Sequence, residues 1–332
     1  GLQAVGYGGA YDSVQRFAKR WKLRNQSPKI TEAFVPLLFQ AGDACQFDWS
    51  CEQVEIGGVL QKIKVAHFRM AYSRKMFVAA YPREMQEMVL DAHNRAFAFF
   101  AGVPARVIYD NLKTVVDTVY QGKERIFNRR FLTLANHYLF EPVACTPASG
   151  WEKGQVEKNV RDSRHQMLQR MPDFSDLAAL NTWLESRCLE LWRQTPHGKQ
   201  SGTIADVWAE EQAALMPLPV AFDGFIELSK RVSPTCLISF ERNRYSVPAS
   251  FANRPVSLRV YPDRLVVAAE GSILCEHARV IQRSHNLPPR AIYDWRHYLA
   301  VVQRKPGALR NGAPFLELPH VFRQLQDNML RK

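Results

Sequence analysis

The sequence predicts an α/β core with a mixed sheet and helices on both faces, followed by a small all-β barrel and a basic helical tail. Three observations carry this expectation. Apolar and polar side chains alternate through residues 44–81, the pattern turns helical over 84–101, and residues 229–284 break into five short strand-like runs separated by Asn, Pro, Asp and Gly. Between these regions the order is three strands, helix, strand, helix, strand, helix. An antiparallel meander followed by crossover units gives a mixed sheet covered on both sides.

A chain of 332 residues suits about two domains. No apolar run approaches the roughly 18 residues of a membrane span and no secretory signal is visible, so a cytoplasmic protein is expected. The chain begins Gly1-Leu2-Gln3 without Met, which fits a fragment of a longer protein. The six cysteines are scattered, with no C-x-x-C pair and no histidine at finger spacing, and read as small buried hydrophobes. Charge is segregated. Residues 1–38 carry 6 basic and 2 acidic side chains, residues 39–228 carry 21 and 23, and residues 229–332 carry 17 and 7. Basic flanks around a faintly acidic middle suit a polyanionic partner held by counterion release, although solubility alone also explains net charge.

In chain order, residues 1–38 hold a basic helix and linker. Val14, Phe17, Ala18 and Trp21 keep helical spacing among Arg16, Lys19 and Arg20. This is either the last helix of a helix-turn-helix unit or a solvated helix. Residues 39–215 form the core. Cys45, Phe47 and Trp49 alternate with Gln46, Asp48 and Ser50, so Asp48 leaves an apolar strand on its polar face. Gly57-Gly58 turns this strand into a hairpin with Val59–Met70, and a third strand covers 75–81. Met85, Met88, Val89, Ala92, Ala96, Phe99 and Phe100 make one stripe of a helix stopped by Gly102 and Pro104. Val107-Ile108-Tyr109 is a short buried strand delivering Asp110 to its carboxyl end. A helix over 128–138, a strand over 141–146, a loop at 147–150 and another helix follow, with helical patterns through 176–215. Residues 216–228, with Pro217 and Pro219, are expected as a linker, 229–284 as the barrel and 285–332 as the tail.

The chemistry is expected from three carboxylates. Asp is disfavoured within a strand, which singles out Asp48, although an exposed edge or a local salt bridge also explains such a residue. Strand ends such as that of Asp110 are the usual place for functional groups in open sheets. First and fourth strands are expected side by side, so the two aspartates converge. The third comes from GWEKGQVEKNV, where Glu152 and Glu157 lie about 140° apart on a helix, so at most one faces the pair. Glu157 shares its face with Arg161 and Arg164, a row suited to phosphates, beside an apolar stripe of Val156, Val160 and Met167. Glu152, in the first turn, is explained by the helix dipole. Three such carboxylates suit two Mg²⁺ ions about 3.5–4 Å apart in an in-line phosphoryl displacement. Spacing alone is a weak signal, because any long chain offers many Asp/Asp/Glu triples.

QFDWS at 46–50, VIYDNLKTVV at 107–116, the run FNRRFLTLANHYLFEPVACTPASGWEKGQVEKNVR at 127–161 and RYSVP at 244–248 resemble the DDE transposases of bacterial insertion sequences, of the IstA type, within the RNase H-like integrase superfamily. The resemblance spans nearly the whole chain, and the G-x-V-E ending selects the same glutamate as the helical reading. It implies an RNase H-like catalytic core with Asp48, Asp110 and Glu157 as catalytic metal ligands for two Mg²⁺ ions, with Mn²⁺ as a substitute. The 47 residues between Asp110 and Glu157 exceed the spacing in retroviral relatives, with the extra length placed around the helix at 128–138. The resemblance further implies cleavage of transposon ends, strand transfer by the freed 3′ hydroxyl, and a bacterial, nucleoid-associated location. Implied partners are double-stranded DNA, a homo-oligomer in a synaptic complex and a AAA+ ATPase helper. Arg16, Lys19, Arg20, Lys153, Lys158, Arg161, Arg164, Arg242 and Arg244 are the expected DNA contacts. The alternatives are a decayed transposase that binds DNA without cutting, and a ribonuclease H-like RNA-processing enzyme.

Overall fold

A computed structural model describes residues 11–24, 38–110, 114–119, 125–145, 167, 171–281, 288–316, 318, 322–324 and 327. The chain divides into two units, 1–38 and 39–332. In the first, helix α1 (Tyr11–Arg24) has an apolar stripe that is largely open, with Phe17 69% and Trp21 56% exposed.

The second unit is organised by a five-stranded sheet of order β3-β2-β1-β4-β7. Strand β1 (Ala44–Ile56) pairs antiparallel with β2 (Val59–Met70), and β2 with β3 (Met76–Tyr81). Gly57 and Gly58 close the first hairpin with φ of +58° and +71°, which a two-residue turn of matching twist requires at both positions. Strand β4 (Arg106–Tyr109) runs parallel to β1 with Phe47 opposite Tyr109, and β7 (Glu141–Ala144) runs parallel to β4. Helix α2 (Gln86–Phe100) follows β3 and ends where Ala101 takes the left-handed conformation, its N–H directed at the Ala98 and Phe97 carbonyls. Between Asp110 and the next helix lies a hairpin, β5 (Val116–Val119) and β6 (Arg125–Phe127), that the sequence did not announce. It occupies part of the extra length expected around the helix at 128–138. Helix α3 (Arg129–Tyr138) is capped by Asn128, whose side chain accepts from the Arg130 and Phe131 N–H groups.

Helices α2 and α3 bury one face of the sheet, and α4 (Leu177–Gln194) buries the other through Leu180, Leu184 and Cys188. Asn181 of α4 exchanges two hydrogen bonds with the backbone of Ala80 on β3, at 2.7 and 2.9 Å, which fixes the helix along the sheet. Helix α5 (Ile204–Gln212) starts with a reciprocal cap between Thr203 and Asp206. The mixed sheet with helices on both faces is the architecture expected from the sequence.

Residues 216–225, within the linker expected over 216–228, pack on the core. Phe222 is buried in the α2–α3 core, Asn94 donates to its carbonyl at 2.8 Å, and Arg130 reaches the Phe225 and Asp223 carbonyls at 2.9 and 2.7 Å. Strand β8 (Ile226–Arg231) then begins before residue 229, because alternation of half-buried and exposed side chains already runs through Ile226 and Leu228. It joins β11 (Pro255–Val260), β12 (Arg264–Ala269) and β13 (Ser272–Ala278) in an antiparallel sheet of order β13-β12-β11-β8. Strands β9 (Leu237–Phe240), β10 (Asn243–Ser246) and β14 (Ala291–Ile292) form a second sheet. Both surround one core containing Ile238, Tyr245, Val256, Leu258 and Val267. Among the described residues these are two sheets sharing a core, without the continuous hydrogen-bonded ring of a closed barrel. The tail is helical in pieces, with a 3-10 turn at Trp295–Tyr298 followed by α6 (Leu299–Arg304) and α7 (Ala308–Asn311).

Candidate active site on the second face of the sheet

Side-chain parity decides which residues can meet. Cys45, Phe47, Val107 and Tyr109 point into the core under α2 and α3, so Gln46, Asp48, Ile108 and Asp110 take the opposite face. With Phe47 opposite Tyr109 on parallel strands, Asp48 and Asp110 each follow the last paired residue. They occupy adjoining positions on the same face of strands about 4.8 Å apart. Both are half-buried. The register therefore puts the two aspartates predicted from the sequence at adjoining strand positions, and one Asp48 oxygen accepts the Trp49 N–H at 2.9 Å.

Around them the face is polar. His67 lies opposite Asp48 across the β1–β2 pair, 2% exposed, and its Nε2 meets Ser50 Oγ at 2.9 Å. Arg69 lies opposite Gln46. Further along the same strands the face becomes aliphatic with Val54, Ile56, Ile63 and Val65. Sequence reasoning singled out neither His67 nor Arg69. Their signal is parity: in AHFRM they alternate with Ala66, Phe68 and Met70, which fill the opposite core.

The donor chemistry fits a hard divalent cation. Two aspartates stand at adjoining positions of neighbouring strands, and Gln46 Oε1, two residues along the same strand face as Asp48, is buried without a hydrogen-bond partner among the described residues. An oxygen-rich strip in a half-buried setting is what Mg²⁺ or Mn²⁺ takes, and it lacks the thiolate or imidazole majority of a zinc centre.

Glu157, the third carboxylate expected from the sequence, lies outside the described residues, as do Glu152, Lys153, Lys158, Arg161 and Arg164. Met167, ten residues after Glu157, is described. It is 2% exposed within the aliphatic cluster on the same face as Asp48. Of the expected DNA contacts, Arg16, Lys19 and Arg20 are exposed on α1, and Arg244 is exposed on β10. Arg242 is exposed in the β9–β10 turn, with φ +69°, and borders a groove that also contains Lys62, Lys64 and Arg83.

Comparison with known proteins adds what the geometry cannot. Residues 40–149 match the family model described as integrase core domain, and residues 218–287 match the Mu transposase C-terminal domain. A transposase from Aminobacter aminovorans is 60% identical over the whole chain, which spans 66% of that protein. The transposase for insertion sequences IS1326/IS1353 of Pseudomonas aeruginosa is 51% identical, again over the whole chain and 66% of the relative. The transposase for insertion sequence element IS21 of Pseudomonas aeruginosa is 31% identical, over 83% of this chain and 70% of its own length.

Proposed function

The chain belongs to the transposases of bacterial insertion sequences, and from this premise we propose that it cuts the ends of a DNA element and joins them to target DNA. The reaction is in-line phosphoryl transfer at a centre formed by Asp48, Asp110 and Glu157. The adjoining placement of Asp48 and Asp110 on one sheet face carries this reading. Burial of Met167, ten residues after Glu157, in the cluster on that face supports assigning the third ligand to Glu157.

The carboxylates would hold two Mg²⁺ ions, with Mn²⁺ able to substitute. Bound there, such ions activate the attacking oxygen and stabilise the leaving one. The protein contributes rigidity and orientation. The Trp49 N–H turns Asp48, and the Ser50–His67 contact bridges β1 and β2 on the same face beside it. Water attacks first and the freed 3′ hydroxyl attacks second at the same site, so no covalent protein intermediate is required.

Duplex DNA is the substrate class, drawn in by the basic flanks, with Arg242 and Arg244 reaching phosphates from the C-terminal sheets and Arg16, Lys19 and Arg20 from α1. The proposed working unit is a homo-oligomer on paired ends, assisted by a AAA+ ATPase, in the bacterial cytoplasm at the nucleoid. Among the described residues no helix is long and apolar enough to cross a membrane.

The test is Mg²⁺-dependent end cleavage and strand transfer by the complete transposase, wild type against Asp110→Asn. Loss of electrostatic stabilisation at the scissile phosphate costs about 10³-fold or more in rate. Undiminished activity would remove the catalytic assignment.

A further inference from the structure

A second group of ligand-type side chains converges where the C-terminal sheets meet the tail, and it shares no residue with the aspartate site. Cys275 and His277 stand two apart on β13 and so share a face, while His297 comes from the 3-10 turn after β14. The Cys275 sulfur and one nitrogen from each imidazole all lie within 4.8 Å of one another. Cys275 Sγ is 3.8 Å from His277 Nε2, and the two imidazole centroids are 5.7 Å apart. Tetrahedral zinc, with Zn–S about 2.3 Å and Zn–N about 2.0 Å, separates a sulfur and a nitrogen donor by about 3.6 Å. The Cys275–His277 pair is within a few tenths of an ångström of that spacing, and the pairs with His297 fall inside 4.8 Å.

Ser246 on β10 holds the group together. Its carbonyl accepts from His277 Nε2 at 2.6 Å, and its hydroxyl meets His297 Nδ1 at 2.8 Å and accepts the Asp294 N–H at 2.8 Å. The Asp294 carboxylate acts electrostatically on both Cys275 and His297, supplying negative potential at the cluster. His277 is nearly buried and the other two half-buried, so the cluster is enclosed but reachable.

We propose that Cys275, His277 and His297 bind one zinc-class divalent cation, which pins the tail to the C-terminal sheets. A sulfur and two imidazole nitrogens select zinc or cobalt over the magnesium class. On uptake, Cys275 releases its thiol proton to solvent as the sulfur–metal bond forms, and His277 gives up its Nε2–H bond to the Ser246 carbonyl, its ring proton moving to Nδ1. A bound zinc-class cation makes the thiolate of Cys275 the stable form. The turn that carries His297 also carries Tyr298, which packs with Cys236, Phe315 and Leu318. Metal binding would therefore order the junction between sheets and tail.

The experiment is Co²⁺ titration of the whole chain after removal of metal by chelation, read by absorption, with bound zinc measured in parallel. One equivalent of Co²⁺ should produce tetrahedral d–d bands and a thiolate charge-transfer band. Cys275→Ser should remove the charge-transfer band, and His297→Gln should weaken binding at least ~10-fold. Cys51→Ser should leave the spectrum unchanged, and circular dichroism of each variant checks folding. Between pH 7 and 8, affinity should rise about tenfold per unit as one proton is displaced. No tetrahedral spectrum, or one that survives both Cys275→Ser and His297→Gln, overturns the site. Asp48→Asn should leave the titration unaltered, which separates this test from that of the phosphoryl-transfer centre.

Discussion

The two faces of the five-stranded sheet are built from the same strands and have opposite chemistry. Towards α2 and α3, the rings of Phe47, Phe68, Tyr109, Phe131 and Phe140 surround His93 with centroids 4.9–6.0 Å from its own. Towards α4, the alternate residues are Gln46 and Asp48 at one end of β1, with His67 of β2 beside them, and Val54 and Ile56 at the other end. The aromatic face shows how the polar face is tolerated. Packing of Phe47 and Trp49 sets the backbone of β1, and Asp48 is then held on the far side despite its poor strand propensity. Because the side-chain period is two, a slip of one residue would exchange the faces, so register is under strong constraint.

That contrast predicts a clean separation between neighbouring residues. Asp48→Asn should lower strand-transfer rate by about 10³-fold. Its cost in stability should stay under about 1 kcal/mol. Phe47→Ala should do the reverse, costing about 3–5 kcal/mol in a denaturant titration through the cavity it leaves. Similar losses on both measures from both variants would mean that the faces are not independent.

The join between core and C-terminal sheets gives the next largest effect. Arg279, at the end of β13 with a fully buried side chain, bonds Glu87 of α2 at 2.8 Å and Glu241 of the β9–β10 turn at 2.8 Å. Burial alone would lower its pKa; Glu241 and Glu87 outweigh this and raise it. Arg279→Met strands two carboxylates and should destabilise by about 3–5 kcal/mol, and adding Glu87→Gln should recover part of the loss. A null result would show that this contact does not hold the two regions together.

The aromatic face should also confer pH sensitivity. His93 donates Nδ1–H to the Val89 carbonyl and accepts the Tyr109 hydroxyl at Nε2, both at 2.7 Å. Burial lowers its pKa to about 4, against 6.5 when exposed. The folded state thus binds fewer protons than the unfolded one, and stability falls as pH drops from 6.5 towards 4. The loss approaches about 3 kcal/mol once pH is below both values. His93→Gln should flatten that dependence in melts at pH 4–7. The smallest effect is expected at the surface. The Lys64–Glu84 pair, at 3.0 Å and partly exposed, should contribute under about 1 kcal/mol in a double-mutant cycle.

Much of the aspartate site was legible in the sequence because strands carry their parity openly. The alternation in CQFDWS separated Asp48 from Phe47, and the brevity of Val107–Tyr109 left Asp110 at a strand end. Short elements without a readable period were missed. Strands β5 and β6 span four and three residues, too few for alternation to declare itself. In α2 the sequence stripe omitted His93 and Phe97, both fully buried, and included Met85, which is 40% exposed. The buried arc is wider than one stripe because the sheet covers His93 while α3 and Phe140 cover Phe97, and residues 216–225 dock on Asn94, so a helix covered from several directions loses its simple amphipathic signature.

Local order was decided by the sequence itself: the glycine turn at 57–58, the strand parity that sends Asp48 away from Phe47, the helix stop at Gly102, and the basic flanks. Turn chemistry and side-chain period act between near neighbours, so they can be read residue by residue. Tertiary structure alone decided that Phe47 stands opposite Tyr109, that the stretch expected as a linker docks on α2 and α3, and that Cys275 and His277 meet His297. Those pairings join segments tens of residues apart. Their register comes from how buried surfaces fit together, and no local pattern encodes it.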